Sequence, residues 1–310
     1  MLLLLQVSDF FFFFLHEIEE LYSRQLNQWE LARVNYDAVS HINVKKFNFN
    51  GREIVAQFNP CRYKSATAQV DSMSPSGQDC FLCSEHQPVE QETIMWQDSY
   101  KIQINPYPIF NRHLTLSHVE HRPQAIAPHI DPMMMLAEQL PGYVLFYNGP
   151  KCGASAPNHQ HFQAVPFDVL PLCREVIHDD CDLSVYFPFF HIIRKEASEA
   201  KRWFHVFEEG MKSMNPNADE PPQNVLCWRT RNEWHIIIIP RSKHRPSCYG
   251  YGEDQFLLSP ASVEMTGVWP IARESDFNRI TPSLLQSITE EVTISENEKE
   301  QILEYFINNV

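Results

Sequence analysis

The stretch from Asn148 to Gln163 constrains this chain more than any other segment. It reads Asn-Gly-Pro-Lys-Cys-Gly-Ala-Ser-Ala-Pro-Asn-His-Gln-His-Phe-Gln. It follows an apolar strand-like run over 142–147, crosses a loop of small residues and enters a second apolar segment. In an extended chain alternate residues share a face, so His159, His161 and Gln163 point the same way. Two imidazoles and an amide then line one wall. Gly153, Ala154 and Ser155 leave their backbone N–H groups accessible, and such a nest can hold phosphate oxygens. Alternating histidines also occur in metal sites and in plain surface strands. The residues alone therefore leave phosphate chemistry, metal binding and a structural strand all open.

Around this stretch the periodicity predicts an α+β fold. Residues 9–34 read as a helix, with Phe13, Ile18, Leu21, Leu26 and Trp29 at near-helical spacing. Alternation over 44–49 and 54–58 about Gly51 predicts a hairpin. Residues 72–79 form a Ser/Pro/Gly loop. Strands are expected at 100–104, 113–117 and 142–147, with a helix at 130–139 before the last. The second half predicts a strand at 183–194, an amphipathic helix at 195–211, paired strands at 225–228 and 234–239, and closing helices at 282–290 and 295–307. One internal echo stands out. Leu114 to Pro123 resembles Ile237 to Pro246, each ending in His-Arg-Pro after a strand-like run. It predicts a duplicated α+β unit: a helical segment over 1–40, one half over 41–175 and a second over 176–310. Only the first copy leads into His-x-His-x-Gln, so only the first is expected to be catalytic.

Composition narrows the partners. The net charge of −14 is the wrong sign for a protein that coats nucleic acid, though local cations can still serve a small anion. The basic candidates are Arg62, Lys64, Arg112, Lys151, Arg241, Lys243 and Arg245, with solvated surface as the default reading for each. The apolar start, Met1 to Leu15, is interrupted by Gln6, Ser8 and Asp9 and has no basic residue before it. That predicts neither a bilayer span nor a signal peptide, hence a cytoplasmic protein. Eight scattered cysteines do not make a disulfide framework. Cys80-Phe-Leu-Cys83 has the bite of a zinc knuckle, but a redox pair or two core thiols share that spacing. His113 and His118 alternate with apolar residues and read as structural.

The pattern Asn-x4-Gly-Ala-Ser-x3-His-x-His-x-Gln resembles the signature of the transferase branch of the histidine-triad superfamily. That branch includes galactose-1-phosphate uridylyltransferase, diadenosine tetraphosphate phosphorylase and GDP-L-galactose phosphorylase. The superfamily's hydrolases carry His where this chain has Gln163. Gln57-Phe-Asn59-Pro60-x-Arg62-x-x-Ser65 resembles a nucleotide-contacting segment of the phosphorylases. Asn224-Val-Leu and Ser259-Pro-Ala-x-x-Glu264-x-x-Gly267 resemble carboxy-terminal segments of the same branch.

The resemblance implies a duplicated histidine-triad-like fold with antiparallel sheets and flanking helices. It implies that His161 attacks the α-phosphorus and carries the nucleotidyl group covalently, with Gln163 on the phosphoryl oxygens and Ser155 on the departing phosphate. Asn59, Arg62, Ser65, Asn148, Lys151, Gly153 and Ala154 become substrate contacts. Cys80, Cys83, His121 and His159 become the ligands of a structural zinc. The implied reaction joins a nucleotide substrate (a GDP-hexose or a dinucleoside polyphosphate) with inorganic phosphate or a sugar phosphate, without nucleic acid or membrane, in a chain whose relatives form homodimers. A dinucleoside polyphosphate hydrolase and a non-catalytic, zinc-stabilised nucleotide-binding protein are the rival expectations.

Overall fold

The computed structural model describes residues 2–63, 80–178 and 187–310. A small sheet holds β1 (Val44–Phe49), β2 (Arg52–Phe58) and, from far along the chain, β11 (Val268–Ile271). Asn50 and Gly51 sit at φ 54° and 87°, so the β1–β2 hairpin turns through the left-handed pair that an Asn-Gly turn favours. The large sheet holds β3 (Ile94–Trp96), β4 (Tyr100–Ile104), β5 (Leu114–His118), β6 (Tyr143–Asn148), β7 (His161–Pro166), β8 (Phe190–Arg194), β9 (Gln223–Arg229) and β10 (Trp234–Pro240). Their spatial order is β3-β4-β5-β7-β6-β9-β10-β8, with every neighbouring pair antiparallel. The expected α+β class is observed. The sheet runs without a break from the first half into the second through the β6–β9 pair.

Both faces of the large sheet are covered. One face packs under the helices Leu2–Gln28, Ile130–Gln139, Ala197–Met214 and Glu296–Asn309, in a core that includes Leu21, Leu136, Phe204 and Ile302. The opposite face packs Val144, Phe146, Leu226 and Ile237 against Val263, Met265 and Val268. Strands β4, β5 and β6 are buried at every position; β6 accordingly reads as a nearly unbroken apolar run, while β4 and β5 alternate apolar residues with buried polar ones. β7 divides its side chains between the faces. Phe162 and Ala164 enter the helix-covered core, while Val165 enters the other, so His161 and Gln163 turn to that second face.

The expected elements are found with three differences. The single helix over 9–34 is two, Leu2–Gln28 and Glu30–Ser40, parted at Trp29, whose φ −111° and ψ 103° are extended. The break redirects the chain so that Trp29 and Tyr36 both reach the core. Strands β3 and β11 carry too few residues to show a period. The strand expected over 183–194 is β8, at Phe190–Arg194, and its first part lies outside the described residues, as does the 72–79 loop. Among the described residues no helix is long and apolar enough to cross a membrane.

Candidate active site

The face of β7 that carries His161 and Gln163 opens into a cavity of about 520 Å³. β5 supplies its neighbour: Thr115 pairs with Gln163 and also lines the cavity. The floor of the site is therefore a pair of hydrogen-bonded strands, whose pleat sets the side-chain directions. The small-residue loop between β6 and β7 brings Asn148, Gly153, Ala154 and Ser155 to the same wall, and Arg62 arrives from the segment after β2. Gly153 is required there. Its φ is +94°, and a Cβ on it would stand 2.4 Å from Ala261 Cβ.

His161 is 3% exposed, and its Nδ1 lies 2.8 Å from the backbone oxygen of His159. A carbonyl only accepts, so Nδ1 carries the proton and the neutral ring keeps its lone pair on Nε2. Nε2 has no protein partner among the described residues, and the residue lines the cavity. Burial lowers the His161 pKa from its ordinary value near 6.5, opposed by the hydrogen bond to His159. The backbone of His161 is clamped by Gln124, whose amide accepts from its N–H at 2.7 Å and donates to its carbonyl at 3.2 Å.

Asn148 is oriented by a chain of fixed donors. Arg241 Nη1 donates to Asn224 Oδ1 at 2.6 Å, which turns the Asn224 amide nitrogen to Asn148 Oδ1 at 2.9 Å. Ser262 adds its backbone N–H at 2.9 Å and its hydroxyl at 2.7 Å to the same oxygen. With Oδ1 serving three donors, the Asn148 NH2 group is left to the cavity, where it has no partner among the described residues. Arg241 also donates to the carbonyls of Val292 and Pro260, so its guanidinium is engaged within the protein. Lys243 pairs with Glu291 and Arg112 with Glu19. Arg62 keeps a place on the wall while donating to the Tyr107 carbonyl at 2.9 Å.

Cys80, Cys83, His121 and His159 converge behind the loop, their ligand atoms all within 4.8 Å of one another. His159 Nδ1 lies 3.3 Å from Cys80 Sγ and 3.6 Å from Cys83 Sγ, and His121 Nδ1 lies 3.3 Å from Cys83 Sγ. His159 Nε2–H donates to the His118 carbonyl at 2.8 Å, which leaves Nδ1 free to ligate. Two thiols and two imidazoles in this closeness fit a metal ion. β7 begins only at His161, so His159 turns away from the wall that His161 and Gln163 share.

The structure thus brings His161, Gln163, Ser155, Asn148, Gly153, Ala154 and Arg62 to one cavity and gathers the four metal candidates beside it. Asn59 is buried off the wall, donating to the Pro108 carbonyl at 3.1 Å, and Lys151 is exposed outside the cavity. Ser65 and Lys64 lie outside the described residues. Reading the sequence did not place Trp29, Thr115, His244 or Val263 on the wall. For Thr115 the signal was its place on β5, two residues after His113. For the others there was none, because they come from remote segments.

Comparison with known proteins agrees with this architecture. Residues 21–166 match the family described as domain of unknown function (DUF4922). The solved structure of yeast Ap4A phosphorylase Apa2 in complex with Ap4A superposes with a TM-score of 0.60 at 17% identity, covering 89% of this chain and 97% of that one. The same yeast enzyme in complex with AMP gives 0.56 at 16% identity, over 87% and 97%. The galactose-1-phosphate uridylyltransferase of Latilactobacillus sakei is 24% identical over 164 residues, which are 49% of this chain and 32% of that protein's length. Over most of its length the chain shares the fold of the yeast phosphorylase, and it spans about a third of the length of the uridylyltransferase it matches. Within this shared fold, the strand that carries His161 and Gln163 is β7, and the cavity opens on the face that carries His161.

Proposed function

We propose that this protein is a nucleotidyltransferase of the phosphorylase type, working through a nucleotidyl-His161 intermediate. The observation that carries this is the His161 ring: proton fixed on Nδ1, lone pair on Nε2, Nε2 facing a cavity lined with amide donors. In the first step the Nε2 lone pair attacks the α-phosphorus of a nucleoside-diphosphate sugar, such as a GDP-hexose, or of a dinucleoside polyphosphate. A P–N bond forms, the phosphoanhydride bond breaks, and the sugar phosphate or nucleotide leaves with the electron pair. In the second step an oxygen of inorganic phosphate attacks the same phosphorus and the P–N bond breaks, returning neutral His161. The NH2 groups of Asn148 and Gln163 and the 153–155 loop hold the phosphoryl oxygens, where charge accumulates. Ser155 faces the departing phosphate and Arg62 supplies positive charge. Asn59 and Lys151, off the cavity wall, have no part in this scheme.

A structural zinc on Cys80, Cys83, His121 and His159 would hold the loop that positions the His159 carbonyl, and so the His161 tautomer. The two-half organisation, 41–175 and 176–310 after a helical 1–40, belongs to the same proposal. Its support is that each His-Arg-Pro tripeptide follows a strand, β5 and β10.

The test uses substrates labelled at the α-phosphate, a GDP-hexose and a dinucleoside tetraphosphate, incubated with the wild type and with His161→Gly. Label retained by the wild type, absent from His161→Gly and released by added phosphate as a nucleoside diphosphate supports the proposal. No label on the wild type, or equal label on both, overturns it, and release without phosphate identifies a hydrolase.

A further inference from the structure

We infer that His113 is a positioning residue for Gln163, fixing the amide so that its NH2 group, and not its carbonyl, faces the cavity. The need arises from the amide itself. Oxygen and NH2 are nearly the same size, so an isolated glutamine can present either to a ligand. A phosphoryl oxygen accepts hydrogen bonds, and a carbonyl turned toward it would repel it. Only a partner of fixed polarity can decide the orientation.

His113 has that fixed polarity. The backbone N–H of Ile109 donates to its Nδ1 at 3.2 Å, and a backbone N–H can do nothing else, so the proton of the neutral ring sits on Nε2. Nε2 lies 2.8 Å from Gln163 Oε1. Reversing the amide would set its NH2 against the Nε2–H, donor to donor. The remaining NH2 group of Gln163 has no partner among the described residues, and Gln163 lines the cavity. The ring cannot readily exchange its roles. His113 is fully enclosed, and burial, with the Arg62 charge second, pushes its pKa down to about 3. Its carbonyl accepts from Tyr36 Oη at 3.0 Å and from the Asn105 N–H at 2.8 Å, and its ring lies 6.1 Å from that of Phe146. The helix after the Trp29 break thus holds the residue that aims the amide.

This inference rests on the proposed role of Gln163 and is tested beside it. His113→Phe keeps a ring and removes the donor, whereas His113→Gln returns a donor near the Nε2 position. Single-turnover labelling of His161 is expected to slow roughly 10- to 100-fold in His113→Phe and to recover in large part in His113→Gln. In a Gln163→Ala background His113→Phe is expected to slow labelling no further, because there is no amide left to aim. Equal losses in the two backgrounds, or labelling by His113→Phe at the wild-type rate, overturn the inference. A wild type that takes no label sinks the nucleotidyl-histidine reading instead. The orientation is then read in the unliganded protein by 15N spectra of the imidazoles. A proton on His113 Nε2 whose resonance moves in Gln163→Ala supports the inference, and a proton on Nδ1 or no movement overturns it.

Discussion

Burial lowers the pKa of His161 below 6.5 while its Nδ1–H stays on the His159 carbonyl, so the neutral ring, the nucleophile of the proposed reaction, persists into mildly acid solution. Single-turnover labelling as a function of pH is therefore expected to show its acid limb below 6.5, and a midpoint above that value would contradict the assignment. Asn148 offers a sharper test of cavity polarity. Asn148→Asp keeps an oxygen for the three donors from Asn224 and Ser262 and turns only the cavity-facing NH2 into an anionic acceptor. Labelling is expected to fall by on the order of 100-fold or more, with little change in the thermal midpoint. Gly153→Ala acts by strain, through the φ of +94° and the 2.4 Å approach to Ala261. It is expected to cost about 1–3 kcal/mol in a denaturant titration and to weaken phosphate binding with it. At this scale the sequence was informative about His161, Gln163 and the small-residue loop, because their chemistry is local. It was silent on which end of each amide faces the ligand, since the partners, Ser262 for Asn148 and His113 for Gln163, are set by the fold.

The loop between β6 and β7 and the 80–83 turn are joined through His159, whose ring serves the cysteine cluster and whose carbonyl serves His161. Burial, with Cys80 beside it, raises the Cys83 thiol to about 11, so a bound cation must displace protons and loading weakens in acid. Elemental analysis of the purified protein is expected to find about one zinc per chain, in line with a four-ligand site. Chelation is expected to lower both the thermal midpoint and the labelling rate, because the His159 carbonyl loses its support. Undiminished labelling by a verified metal-free protein would show that the coupling is absent. Long elements with a clear period were legible: Tyr100–Ile104 and Ile130–Gln139 lie where the pattern placed them. β11 was not, because a short strand whose partner β2 lies more than two hundred residues away has no local signature. The Trp29 break was hidden for a related reason, since the apolar spacing continues across it while tertiary packing redirects the backbone.

Across the whole molecule, enclosed histidines link stability to pH. Burial, helped by Arg62, holds His113 near 3, and burial, helped by His118, holds His129 near 4, against 6.5 for the free side chain. Their folded pKa values are depressed, so the unfolded chain binds protons more readily below 6.5. The stabilisation is complete above that pH and is lost as the pH falls toward 4. The unfolding midpoint is thus expected to drop between pH 6.5 and 4, and a midpoint constant across that window would contradict the enclosure of these rings. The sequence by itself determined the α+β class, the strand–loop–strand around Asn148 to Gln163 and the face that His161 shares with Gln163, because spacing and alternation are local and survive without a partner. The tertiary structure decided what that face meets. Trp29, Arg62, Thr115 and Val263 converge on one cavity only after two sheets and the first helices have packed, and His159 leaves the common wall only because Cys80 and Cys83 stand behind it. Which end of an amide points at a ligand depends on a donor supplied by a distant segment, Ser262 for Asn148 and His113 for Gln163, and no pattern along a single segment carries that information.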